Sequence, residues 1–266
     1  MNKTSHISIT SFELKIFSLL FYTIGKILIQ IALLYYDEST GGFVSNTFKT
    51  LYGAGYVLTY IAIPVICYLT TVGALKTKNI KKYLIRLFAA AIVTEGLFDI
   101  CIFGKEIFSD SGTMKSALTS GSNLFFTLFL GASLITVTEK LIKTHFKEGS
   151  VNFVFLTVFV TILFCALAVT LKSEQHVLGV LTIFAFYLFY GNMMFTFFAV
   201  ILLQIFALGL SYTSAIMYAP IIGTIAIIFH DGQMGYNKKW VRIFMYTFYP
   251  VCYALIVLLI KNGAFR

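Results

Sequence analysis

Charge is what this sequence has least of. Only 12% of its 266 residues are Asp, Glu, Lys or Arg, against roughly 25% in an ordinary soluble domain. Proline is rare, with three residues, and tryptophan occurs once. No Pro/Gly/Ser-rich linker, low-complexity tract or 20–50-residue repeat divides the chain. The motif repertoire is equally bare: a phosphate-cradling glycine loop, a zinc motif, a G-x-S-x-G elbow and heme-ligand spacing are all missing. Four cysteines, Cys67, Cys101, Cys165 and Cys252, lack metal-ligand spacing and fall in apolar runs, where they read as small packing residues.

What fills the chain instead is hydrophobic: 59% of it, aromatics alone making 17%. Apolar runs of about 20 residues recur, each long enough for a hydrocarbon core of roughly 30 Å. Short alternating segments, the mark of a transmembrane barrel, are absent. The expected fold is therefore all-α, a polytopic bundle forming a single integral membrane domain over 1–266 with a short polar tail, 1–11. Segments 12–36, 54–75, 83–103, 122–142, 151–171, 177–191, 193–211, 214–229 and 240–260 give about nine spans, with eight to ten allowed. The sixth and eighth are short. The first is too long for a signal-peptide core and lacks a small-residue cleavage pattern, so it reads as a retained span.

Charge then sets orientation. Lys76, Lys78, Lys81, Lys82 and Arg86 crowd the second loop, Lys140, Lys143 and Lys147 the fourth, and Lys238, Lys239 and Arg242 the eighth. The first loop opens with Asp37 and Glu38. Basic loops alternate, as the positive-inside rule requires, which places the N-terminus on the cytoplasmic side of a multi-pass membrane protein. The net charge of +9 is accounted for by that bias and by anionic lipid headgroups, so the partner it implies is the lipid bilayer and not nucleic acid.

Two polar features stand out against this background. Glu95 and Asp99, in "VTEGLFDICIFG", are four apart and share a helix face inside an apolar run. An ionisable group costs at least about 2.5–3.5 kcal/mol near the bilayer centre, so it is a site hypothesis by default. Two ionised acids would repel, which calls for a shared proton or a nearby cation. Lys26 is the candidate cation. Counted from the inner ends of their spans, Lys26 lies about 14 residues deep and the acids about 12 and 16, depths that agree within roughly 3 Å. The alternative is that Lys26 snorkels and the acids hold a buried hydrogen-bond network.

The other feature is "FHDGQMGYNKKW", residues 229–240. His230 beside Asp231 suggests a base and its orienter, while Gly232 and Gly235 suggest only a tight turn between helices. His145 and His176 fall at loop ends and read as solvated.

Here the sequence resembles a known family. The block "IPVICYLTTVGALKTKNIKKYLIRLFAAAIVTEGLFDICIFG", then "SNLFFTLFLGA", "HDGQMGY" and "FYPVCY", is similar to the TraX family of bacterial membrane proteins. The matching positions are Pro64, Gly73, Thr77, Asn79, Tyr83, Arg86, Glu95, Phe98, Asp99, Gly104, Asn123, Thr127, Tyr249 and Pro250, in order and spacing. The resemblance implies a relative of pilin acetylases: an acyltransferase that takes an acetyl or acyl group from a cytoplasmic donor such as acetyl-CoA. The acceptor would be an exported or membrane-bound peptide or glycan. Within that reading the catalytic candidates are His230, Asp231, Glu95 and Asp99, and the substrate-binding ones Lys26, Asn123, Arg86 and Tyr249, with His230 and Lys26 standing as relocated replacements for a base and a cation of the family pattern.

The departures fall at polar positions. An Asp-His-Ile-Gly string of the family stands here as Tyr22-Thr23-Ile24-Gly25, and an Arg as Tyr60. A Gln-Asn pair is Ser122-Asn123, and Tyr-Pro-x-His ends in Cys252. An alternative is thus a non-catalytic membrane scaffold, accessory or immunity-type protein. A small-solute transporter is a third, although no broken-helix repeat supports it.

Overall fold

The computed structural model describes residues 9–37, 41–103, 123–209, 214–233, 235–236 and 238–261. Among them run nine substantial helices: α1 (Ser11–Leu33), α2 (Asn46–Lys76), α3 (Ile80–Phe103), α4 (Leu124–His145), α5 (Val151–Thr170), α6 (His176–Leu188), α7 (Met193–Gly209), α8 (Ser214–Ile228) and α9 (Lys239–Lys261). A two-residue hairpin, Tyr36–Asp37 with Gly42–Phe43, joins α1 to α2. Each expected apolar segment is helical over most of its described residues.

Membrane-crossing length is a stricter matter. α1, α2, α4 and α5 are long and apolar enough to cross. α6 has 13 residues, about 20 Å at 1.5 Å per residue, well short of a hydrocarbon core of roughly 30 Å. α3 is long enough, but its lysines, Arg86, Glu95 and Asp99 dilute its apolar character. The expected count of nine spans is therefore not established by these helices.

Local chemistry explains where helices begin. Thr10 caps α1 in a capping box: its hydroxyl accepts the Glu13 N–H, while Glu13 Oε2 accepts the Thr10 N–H at 2.7 Å. Asn123 caps α4 and Ser150 caps α5 through their side-chain oxygens. All three prolines, Pro64, Pro220 and Pro250, lie inside helices. Each removes the N–H that would bond the carbonyl four residues earlier, a substitution membrane helices tolerate.

The chain divides into two compact units. The first comprises Met1–Leu69 and Val200–Tyr253. Its centre is α2, whose apolar window is 72% buried. Glycines bring backbones together there. A Cβ on Gly25 would lie 2.6 Å from the Gly55 carbonyl, one on Gly55 2.7 Å from that of Gly25, and one on Gly223 would collide with the Ile61 carbonyl.

The second unit comprises Thr70–Ala199 and Ala254–Arg266. In it α4 packs between α3, α5 and α6. Gly131 leaves room for Ile183, and Gly179 for the Thr127 methyl. α5 is the exception to burial: only 11% of its window is covered, and Val154, Phe155, Val158 and Ile162 are exposed. Water would penalise such a face; lipid tails do not.

Candidate functional site

In the first unit, the residue entering α1 and the loop leaving α8 pair as strands. The Ile9 N–H donates to the Phe229 carbonyl at 2.8 Å, the Asp231 N–H to Ile9 at 3.1 Å, and the Ser11 N–H to Gln233 at 2.9 Å. Gly232 and Gly235, at φ +76° and +62°, turn the loop in a conformation that side chains disfavour. Space matters as well, because a Cβ on Gly235 would press on the Thr10 hydroxyl at 2.8 Å.

This pairing fixes His230. Its Nε2 lies 2.8 Å from Ser11 Oγ and its Nδ1 2.8 Å from the Tyr68 hydroxyl, with the Tyr68 ring edge-on at 5.4 Å. Ser11 and Tyr68 are buried, while His230 is half-buried. An imidazole with one nitrogen held by a hydroxyl and the other against a serine is arranged for proton transfer. Asp231, expected as the orienter, is exposed, and its Oδ1 accepts the Gln233 N–H at 2.8 Å, closing the turn. The neighbour of Nδ1 is the Tyr68 hydroxyl. The pairing also bears on topology: Ile9 and His230 share one side of any bilayer, so the chain crosses an even number of times between them.

Beside this cluster lies an aromatic strip. Phe12 meets Tyr236 at 5.8 Å, and Tyr236 meets Trp240 at 6.0 Å. The Lys238 ammonium sits 5.5 Å from the Tyr236 centroid. Tyr236 and Trp240 are both exposed.

In the second unit, Glu95 meets the start of α4. Its Oε2 accepts from the Asn123 side-chain amide at 2.7 Å and from the Asn123 backbone N–H at 3.0 Å. The same amide donates to the Ala91 carbonyl at 2.8 Å, and Asn123 Oδ1 accepts the Phe125 N–H at 3.0 Å. A carboxylate here faces the positive end of a helix dipole. Asp99 follows one turn on, half-buried. Lys26, the expected cation, belongs to the first unit, where its ammonium lies 5.7 Å from the Tyr22 ring centroid.

With this geometry in hand, comparison decides the family. A family profile described as "TraX protein" matches residues 12–260. The chain belongs to the TraX family. No curated protein and no solved structure matches it.

Many positions that carry the TraX resemblance do structural work. Asn79 Oδ1 accepts the Lys82 N–H at the start of α3. A Cβ on Gly73 would lie 2.7 Å from the Tyr83 hydroxyl, so this matched pair is in contact. Thr127 Oγ1 accepts the Gln175 N–H at 3.4 Å, and Glu95 is joined to Asn123. Tyr249 is buried edge-on against Tyr22 at 4.8 Å, while Arg86 is exposed. Phe98 and Gly104 lie outside the described side chains, as does Cys101.

Three groups escaped the sequence reading. Ser11 and Tyr68 reach His230 from 219 and 162 residues away, and separation on that scale leaves no local signal. The third is a polar cluster at a π-helical turn, Thr138–Ile142. There Glu139 Oε1 accepts from the Tyr187 hydroxyl at 2.6 Å and pairs with Lys143 at 2.8 Å, while Lys143 also reaches Glu148 at 3.1 Å. The Glu139–Lys143 spacing was visible in the sequence; the π turn was not.

Proposed function

We propose that this TraX-family membrane protein is an acyltransferase, moving an acetyl or acyl group from a cytoplasmic thioester to an exported or membrane-bound peptide or glycan. The observation that carries this reading is His230, held at both ring nitrogens by hydroxyls on a loop between helices. Acyl transfer to an amine or hydroxyl needs a base that removes the acceptor proton. His230 supplies one, and with the Tyr68 hydroxyl accepting from Nδ1–H the tautomer is the one in which Nε2 accepts.

Acetyl-CoA, as the donor, brings an activated acyl carbonyl. Its adenine asks for an aromatic face and its phosphates for a cation. The exposed rings of Tyr236 and Trp240 and the ammonium of Lys238 supply those chemistries beside His230, and they are the residues that would hold it. In the bacterial cytoplasmic membrane, with the N-terminus inside, this loop faces the donor pool.

A second reading, a non-catalytic scaffold or accessory protein, is favoured by a specific observation. Where the family's Asp-His string belongs, Tyr22 and Thr23 are 2% and 3% exposed, and the Thr23 hydroxyl is buried without a hydrogen-bond partner among the described residues. That is a packed interface, not a site. One experiment separates the readings: full-length protein with labelled acetyl-CoA and candidate acceptors. Binding followed by transfer supports the enzyme. Binding without transfer supports the scaffold, and absence of binding sinks the enzyme reading.

A further inference from the structure

We propose that Ser11 is a nucleophile that carries the acyl group on the protein, so that transfer proceeds in two half-reactions. This rests on the acyltransferase reading and deepens it. Ser11 Oγ lies 2.8 Å from His230 Nε2, and Tyr68 holds Nδ1 at 2.8 Å. Nucleophile, base and orienter therefore stand in hydrogen-bonded series, the arrangement that activates a serine hydroxyl.

Ser11 is also held in place by its backbone. It occupies the first turn of α1, its N–H donates to the Gln233 carbonyl, and only 5% of the residue is exposed. A serine needed only to fill space would not need its hydroxyl on a ring nitrogen of a histidine. The next N–H, of Phe12, has no acceptor among the described residues, whereas Glu13 and Leu14 donate to Thr10. An N–H directly after the nucleophile is suited to steady a carbonyl oxygen as it gains charge.

The chemistry balances without a further reactant. Ser11 Oγ attacks the thioester carbonyl while His230 Nε2 takes the hydroxyl proton. The C–S bond breaks, and the thiolate leaves with that proton as a thiol. An acceptor amine or hydroxyl then attacks the Ser11 ester. His230 takes its proton and returns it to Ser11 Oγ as the ester C–O bond breaks.

The test uses the full chain in lipid nanodiscs with acetyl-CoA and no acceptor, followed by peptide mass spectrometry. The expected result is an acetyl group on the Ser11 peptide, discharged when acceptor is added. It is absent in Ser11→Ala and forms at least about 100-fold more slowly in His230→Gln. Transfer to acceptor with no adduct in the unmodified chain, and with Ser11→Ala within about threefold of the normal rate, overturns the proposal while the acyltransferase reading stands. A fluorophosphonate probe reads serine reactivity without any thioester. His230-dependent labelling at Ser11 sustains the nucleophile even where acetyl-CoA proves not to be the donor; no labelling and no adduct overturns it.

Discussion

The His230 cluster and the Glu95–Asn123 pair are both polar islands in an apolar chain, but they are built differently. Glu95 meets Asn123 within one unit, and the bonds between them, from a side-chain amide and a backbone N–H, close a helix start onto its neighbour. His230 is assembled from three distant segments, and its partners are hydroxyls, which can donate or accept. Groups saturated by fixed donors fasten a fold. Groups between reversible hydroxyls are able to pass protons. The difference explains why residues shared with the family pattern need not be the reactive ones.

The sharpest way to break this comparison is His230→Gln, which keeps size and polarity but loses the base. Acyl transfer per folded molecule falls about 100-fold or more, equivalent to roughly 2.7 kcal/mol of barrier, with little change in thermal unfolding. A normal rate would remove His230 from the chemistry. Asn123→Ala is the mirror experiment. It deletes a helix cap and the amide that meets Glu95, at a cost of about 2–3 kcal/mol. Unfolding in detergent reports that loss, and transfer by the surviving folded protein stays within about twofold. Lost transfer with full stability would move Glu95 from fastening to function.

Gly235→Ala probes the link between loop and α1, since its φ is +62° and the Thr10 hydroxyl blocks a Cβ. It destabilises by about 1–2 kcal/mol and lowers transfer, whereas Gly96→Ala, facing open space, lowers neither. Melting curves with paired rate measurements separate the two. Asp231→Asn has the smallest effect: its Oδ1 still accepts the Gln233 N–H, so rate and stability shift by less than about 0.5 kcal/mol. A large loss of rate would return Asp231 to the orienting role.

The helices were readable because hydrophobic runs are local, and Gly232 and Gly235 announced a turn. The caps Thr10 with Glu13 and Ser150 came to light only in the structure. Crossing length was less readable, since α6 is as apolar as its neighbours and simply shorter. The depth argument that paired Lys26 with Glu95 used span positions alone, and it could not foresee that α4 begins beside Glu95. Of the His230 cluster only the histidine was visible, because a histidine in a glycine-punctuated loop is conspicuous. Ser11 and Tyr68 are ordinary helix residues until the loop folds onto them.

The strand pairing of Ile9 with the 229–233 loop sets an order of events during synthesis. α1 is made before the other described helices, yet its initial turn acquires its partners only after about 220 further residues, some ten to forty seconds later at ordinary elongation rates. Until then the start of α1 waits as one half of a bridge. The His230 cluster therefore closes only after the 229–233 loop has been made, late in synthesis.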